Sequence, residues 1–299
     1  MSRIFVAGSS GQVALSLKEA AELGGISLIT AGRPEFDLAD PEGMRTAITA
    51  FKPTAIVNAA AYTAVDAAED NEEAANAVNR DGTKALAAIA AELNVPFIHI
   101  STDYVFDGDK NGAYVETDPV APQGAYGRSK LAGEIAAIDA NPNSIILRTA
   151  WVYSPFGNNF LKTMLKLAQN RDELGIVADQ YGNPTYAPDI ADAILEVVKQ
   201  LDAGKPLTDA SGVYHLSGTN DTNWHGFASF IFEEGGRHGH PIPKANAITT
   251  VEYPTPAKRP MNSRLNCAKV QEAFSITMPD WQESTVKCVK RLFGEGQLG

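Results

Sequence analysis

In "AYGRSK", residues 125–130, a tyrosine and a lysine stand four places apart, the spacing of one helical turn. If a helix begins there, Tyr126 and Lys130 share one face. A free tyrosine has a pKa of about 10 and barely ionises at neutral pH. A lysine ammonium within about 4–6 Å favours the phenolate and makes the phenol a usable general acid toward a carbonyl oxygen. Twenty-four residues before Tyr126, "HIST" closes an apolar run with Ser101 and Thr102. The carboxyl end of a parallel strand is where open α/β sheets place ligands, and a Thr102 hydroxyl there can hold the oxygen that Tyr126 protonates. A Tyr-x-x-x-Lys pair alone is common by chance; its place after such a strand end is what gives it weight.

A second group of residues suits a dinucleotide. "RIFVAG" reads as a buried strand and runs into "GSSGQVA" at 8–14. Gly8 and Gly11, with Ser10 between them, permit a tight strand-to-helix turn that brings backbone N–H groups to a pyrophosphate. Ala14 stands where a third glycine often sits and is small enough for helix–strand packing. The second strand ends in Gly32-Arg33 instead of the acidic residue that binds an NAD ribose. Arg33 there suits a 2′-phosphate, hence NADP; the alternative is a solvent-facing loop arginine. Asp37 and Leu38 fall where a residue can touch the adenine end. "NAAA" at 58–61, with Ala60 and Ala61, ends the third strand in side chains small enough for a cofactor to lie across it.

These groups need a scaffold, and the chain alternates strand-like and helix-like segments. "QVALSLKEAAEL" and "PEGMRTAITAF" read as helices, the second capped by Asp40 with Pro41 at its first position. "ISLITA", "AIVNAAA", "PFIHIST" and "SIILRTAWVY" read as further strands, with an Ala-rich helix from about 71 to 93 between two of them. The expectation is an α/β, Rossmann-type doubly wound parallel sheet over residues 1–150, followed by a smaller C-terminal substrate-binding domain over 151–299. "APDIADAILEVVKQL" predicts a helix near 188–202 that returns to the sheet. "VYHLSG" reads as one more strand.

Composition excludes several roles. The formal charge of −11 argues against nucleic acid or an anionic membrane as partner. No apolar run is long enough for a signal peptide or a membrane span. Cys267 and Cys288 lack metal-ligand spacing and read as free thiols of a cytoplasmic protein. His99 sits in an apolar strand and reads as a hydrogen-bonded core residue. His238 and His240 read as solvated loop residues, and Trp224 as core.

Together the motifs resemble the extended short-chain dehydrogenase/reductases, and within them the dTDP-4-dehydrorhamnose reductase family. The resemblance rests on "GQVA" at 11, "VNAAAYTAVDAAE" at 57, "STDYVFDG" at 101, "YGRSKLAGE" at 126, "RTAWVY" at 148, "DQYGNPT" at 179 and "YPTPAKRPMNSRL" at 253. It implies reduction of the C4 ketone of a dTDP-linked 4-keto-6-deoxyhexose, using NADPH or NADH. It further implies that Gly11, Gln12 and Val13 hold the pyrophosphate, Asp37 and Leu38 the adenosine side, and Ala61, Tyr62 and Thr63 the cofactor cleft. Tyr126 would donate the proton, with Lys130 lowering its pKa and binding the nicotinamide ribose beside Ser101. Thr102, Asp103 and Tyr104 would contact the sugar and Trp151 border it. Gln180 and Thr185 either face the substrate or pack; Arg259 and Arg264 either bind the diphosphate, as arginine does bidentately, or lie on the surface. Ser16 stands where some members place a glutamate for Mg2+ between subunits, which argues against a metal-bridged dimer; a monomer or homodimer fits. Two rivals share the scaffold: a nucleotide-sugar 4-epimerase or dehydratase that retains NAD, and a non-catalytic regulatory subunit.

Arg33→Ala is expected to weaken NADPH binding more than NADH binding in a fluorescence titration, because only NADPH carries the 2′-phosphate. Equal losses for both would show that Arg33 does not read it.

Overall fold

The computed structural model describes residues 2–296. In chain order its elements are β1 (Arg3–Ala7), α1 (Gln12–Leu23), β2 (Ser27–Ala31), α2 (Pro41–Phe51), β3 (Ala55–Asn58), the short α3 (Val65–Ala68) and α4 (Glu72–Asn76). α4 continues through a π-helical stretch, Ala77–Gly82, into α5 (Thr83–Leu93). Then come β4 (Phe97–Thr102), a 3₁₀ turn at Asp103–Val105, α6 (Ala125–Ala140) and β5 (Ile145–Thr149). The second half adds β6 (Val152–Tyr153), α7 (Phe160–Ala168), β7 (Glu173–Val177), β8 (Tyr181–Gly182), β9 (Thr185–Tyr186), α8 (Ala187–Asp202), α9 (Leu207–Ala210) and β10 (Gly212–His215). It closes with β11 (Thr222–Asn223), α10 (Trp224–Gly236), β12 (Lys244–Ile248), α11 (Ala268–Phe274) and α12 (Trp281–Gly294).

Six strands form the main sheet in the order β10-β5-β4-β3-β1-β2, every pairing parallel. This is the expected Rossmann-type α/β architecture. From β1 the chain winds outward to β2 and then back past β1 to β3, so the switch point lies between β1 and β3. Ligands bind outside the carboxyl ends of the strands at such a point. Alternation along each strand divides its side chains between two faces. Ile4, Val6, Val57, Ile98 and Leu147 pack against α1 and α8, while Phe5, Ile56, Phe97 and Ile146 pack with residues of α2, α5 and α6.

Local sequence explains the helix ends. The Asp40 carboxylate accepts the Gly43 N–H at 3.0 Å and Pro41 opens α2. Asn159 caps α7 and Asn223 caps α10 in the same way.

Three segments differ from the sequence expectation. The long helix over 71–93 is broken by the π stretch, which turns polar Asn79 inward to 1% exposure. "SIILRTAWVY" is two strands, because Trp151 takes φ +46° and β6 leaves to pair with β9. The "VYHLSG" segment supplies β10, the sixth strand of the main sheet, paired with β5. Residues of α8, β10 and α11 therefore belong to the first core, and the second core, built around Tyr153, Leu161, Phe227, Ile231 and Val289, gathers α7, α10 and α12.

Candidate active site

The first part of the site is a cradle for an anion. β1 ends in Gly8 at φ +114°, where a Cβ would stand 3.2 Å from the Ala59–Ala60 backbone, so a side chain is excluded. Gly11 caps α1 without a side chain, leaving the first-turn N–H groups of Gln12, Val13 and Ala14 to point out of the helix. Ser10 and Gly11 are exposed beside them. Asn58, fully buried, accepts the Ala60 N–H at 3.1 Å and shapes the turn after β3. Asn79 holds the next residues: it accepts the Tyr62 N–H at 2.8 Å and donates to the Tyr62 carbonyl at 3.1 Å. Ala60, Ala61 and Tyr62 are thereby fixed along the edge of the cleft, with Thr63 exposed beyond them. The residues present fit a dinucleotide.

The second part lies at the end of β4. α6 starts at Ala125, where Glu69 accepts the Ala125 N–H at 2.8 Å. Tyr126 lies in its first turn, with its ring edge-on to Tyr104 at 5.6 Å between centroids. Against burial, Thr102 draws the Tyr126 pKa down, while its own hydroxyl donates to Asp103 at 2.9 Å. One turn on, Lys130 is 2% exposed, and its Nζ donates to the Ile100 carbonyl at 2.7 Å. Burial lowers Lys130 to a pKa of about 8, partly opposed by Glu134. Burial also pushes Tyr126 up to about 12, with the Asp103 charge raising it further and Thr102 pulling it down. Desolvation outweighs everything else around the phenol, so Tyr126 stands above its ordinary value in this arrangement.

Several residues of the sequence-derived set turn away from the cleft. The Ser101 hydroxyl donates inward to Glu134, which itself pairs with Arg148 at 2.6 Å. Leu38 is buried against Gly82, and Asp37 caps the Ala39 N–H at 3.0 Å. The Gln12 side chain is occupied by the Val152 carbonyl, Ser154 and Asn159, so only its backbone faces the cradle. Val13 lies in the first core. Asp103 is 3% exposed and accepts from Thr102 at 2.9 Å; it lies behind that residue. Arg33 is exposed, with no hydrogen-bond or ion-pair partner among the described residues.

A cavity of about 440 Å³ opens in the second half, lined by Phe160, Met164, Leu174, Gln180, Tyr253 and Arg259 among others. Trp224 also lines it, donating to Gln180 at 3.2 Å and stacking on Trp151 at 3.6 Å, so it is more than core. The Arg259 guanidinium pairs with both oxygens of Asp66, at 3.2 and 2.8 Å. Arg264 does not line the cavity; it bonds Asn262 and pairs with Asp221 at 3.6 Å. Thr185 is fully buried, its hydroxyl shared between the Asn183 carbonyl and the Gly218 N–H. His238 stacks on Phe293, and the His240 ring bonds the Leu165 carbonyl at 2.8 Å, so both help pack the second half. Asn58, Asp66 and Asn79 carry no chemistry of their own and were missed on sequence. A polar residue on the inner face of an Ala-rich helix was the available signal for Asn79.

Fold and site together define an oxidoreductase of the Rossmann type. The family model described as RmlD substrate binding domain matches residues 2–293, and the chain belongs to that family. It is 48% identical over 295 residues to a dTDP-4-dehydrorhamnose reductase of Sinorhizobium fredii, covering 99% of each chain. Two solved dTDP-4-dehydrorhamnose reductases match with TM-scores of 0.89, covering 97% of this chain and 99% of theirs. One, from Clostridium acetobutylicum, is 34% identical; the other, from Bacillus anthracis in complex with NADP, is 30% identical.

Burial raises the Asp103 carboxyl to about 6, opposed by hydrogen bonds from Ser263 and Thr102. A raised carboxyl pKa contributes stability that is fully present below the unfolded value near 4 and lost as pH rises through 6. Asp103→Asn should therefore gain about 1–3 kcal/mol relative to the parent between pH 4 and pH 8 in urea unfolding. A difference that does not change with pH would show an unperturbed carboxyl.

Proposed function

We propose that this chain reduces the C4 ketone of dTDP-4-dehydro-6-deoxy-L-mannose to dTDP-L-rhamnose. The observation that carries this reading is the meeting of Thr102, Tyr126 and Lys130 at the end of β4, beside the cradle formed by Gly8, Gly11 and the α1 N-terminus. NADPH bound in that cradle would supply the hydride. The 2′-phosphate would meet Arg33, exposed just after β2 and without a partner among the described residues; NADH, which lacks that phosphate, would still be held by the rest of the cradle.

The chain's own part is to hold the ketone oxygen and give it a proton. Thr102 positions the oxygen, and the Tyr126 phenol transfers its proton there as C4 becomes tetrahedral. The negative charge left on Tyr126 is favoured by an ammonium at Lys130. Trp151 and Tyr104 border the sugar. The nucleotide end would take the cavity between α7 and β7, which Gln180 and Arg259 both line. Arg259 serves the diphosphate in a protein whose charge of −11 otherwise repels it. Ser16 is 1% exposed with its hydroxyl on the Gln12 carbonyl, so it presents no ligand for a metal between subunits. Cys267 and Cys288 are free thiols, which suits a reducing cytoplasm.

The test is oxidation of NADPH by purified protein supplied with the dTDP-linked ketosugar, beside UDP- and GDP-linked ketosugars. Turnover with the dTDP compound is expected. Protein that carries tightly held nucleotide and shows no net NADPH oxidation would be the retained-NAD epimerase or dehydratase instead. In the same assay Arg259→Ala should raise the sugar-nucleotide KM at least tenfold, since a hydrogen bond to a charged group contributes roughly 1.5–3 kcal/mol. A KM within twofold of the parent would show the diphosphate is held elsewhere.

A further inference from the structure

The surroundings of Lys130 impose a direction on its hydrogen bonds. Its Nζ lies 3.2 Å from Nε2 of His99, a residue with no solvent exposure. The other ring nitrogen, Nδ1, lies 3.1 Å from Nδ2 of Asn58, also fully buried. The Asn58 amide is oriented by two further contacts. Its Oδ1 accepts the Ala60 backbone N–H at 3.1 Å, and its Nδ2 reaches the Thr83 hydroxyl at 3.1 Å. A backbone N–H only donates, so Oδ1 must face it and Nδ2 must face His99. Nδ1 of His99 is then the acceptor, and a neutral imidazole in this setting carries its proton on Nε2. That N–H points at Nζ of Lys130. An ammonium has three donors and no lone pair, so only the uncharged amine can accept it.

We propose that His99 and Asn58 are positioning residues for Lys130: His99, held with its proton on Nε2, donates to Nζ and favours the uncharged amine over the ammonium, so that cofactor binding is coupled to uptake of a proton by Lys130. The proposal rests on the reading of Lys130 as the residue that meets the cofactor's ribose. The other groups near Nζ do not remove the constraint. Glu134, one turn further along α6, favours the ammonium, but its carboxylate is already shared by Arg148 of β5 and Ser101 of β4. From β3 and α5 come the neutral Asn58 and Thr83. Tyr126 is a protonated phenol at neutral pH and Asp103 lies beyond Thr102. Burial acts in the same direction on both partners, lowering Lys130 and holding His99 well below its ordinary value. A cofactor brings phosphate charge and ribose hydroxyl acceptors, which favour the ammonium. The ammonium in turn makes Tyr126 more acidic. The proton donor is armed more fully once the cofactor is in place.

Two measurements test this. In protein labelled with 15N-histidine, long-range 1H–15N correlation reads each imidazole tautomer, and His99 is identified by its absence in His99→Gln. A neutral ring protonated on Nε2 is expected at pH 9, above the Lys130 value of about 8, where the free amine prevails; an Nδ1-protonated ring or an imidazolium there overturns the proposal. Calorimetry of NADPH binding at pH 8, in two buffers of different ionisation enthalpy, reads proton uptake. The 2′-phosphate, with its second pKa near 6, is already fully ionised there. About half a proton is expected for the parent if Lys130 titrates near 8, and essentially none for Lys130→Met. No uptake by the parent, or equal uptake by Lys130→Met, overturns the coupling. Failure of the parent to bind NADPH at all would count against the cofactor site itself, and the imidazole spectrum, which needs no cofactor, decides on His99 alone.

Discussion

At Gly133 a helix and a π turn touch backbone to backbone: a Cβ there would stand 2.1 Å from the Asn79 carbonyl oxygen. Several contacts of the proposed site sit on the helix held by that approach. With α6 this close, Lys130 reaches the Ile100 carbonyl, Glu134 reaches Arg148 and Tyr126 comes beside Thr102. The π stretch does a second thing with the same residue. It turns the Asn79 side chain inward, where it grips both backbone groups of Tyr62 and donates to Ser129 at 2.9 Å. Ser129 in turn bonds the Tyr126 carbonyl at 2.8 Å. One buried asparagine thus ties the Tyr62 edge of the cleft to the helix that carries Tyr126, the proposed proton donor.

The two halves of the protein meet through side chains whose bonds cross the cleft. Gln12, at the start of α1, collects Val152, Ser154 and Asn159 from the second half. Asp66, beside the Tyr62 edge, collects Ala257 and Arg259, and Asn262 donates to the carbonyls of Lys110 and Gly112. These are hydrogen bonds and partly exposed ion pairs, worth far less each than the apolar cores on either side. Those at Gln12 and Asp66 also fix groups that the proposed chemistry uses, the start of α1 and Arg259. The cation that faces the cavity, Arg259, is held in place by a carboxylate from the cofactor side.

Much of the first half was legible in the sequence because hydrophobic periodicity and capping residues reported it directly. Asp40-Pro41 marked the start of α2, and buried apolar runs marked β1, β3 and β4. What stayed hidden depends on contacts between distant segments. No local pattern shows that Gly133 must lie against Asn79, so the π stretch reads as an ordinary helix. Trp151 breaks "SIILRTAWVY" because it turns to stack on Trp224, seventy-three residues away. In the site, residue type identified the groups with chemistry, and tertiary packing decided which of them face the cleft. Ser101 and Thr102 are neighbours of similar chemistry, yet strand alternation sends one to Glu134 and leaves the other beside Tyr126.

The central claim is that the Tyr126 phenol delivers the proton to the ketone oxygen. Tyr126→Phe removes that proton and leaves the cradle, the Lys130 contacts and the cavity untouched. Turnover with the dTDP-linked ketosugar, measured beside the dissociation constant for NADPH, is the direct test. The account predicts a fall in kcat of about 10²-fold or more, the usual worth of general acid catalysis, with cofactor affinity unchanged. A variant that keeps most of its turnover would contradict it.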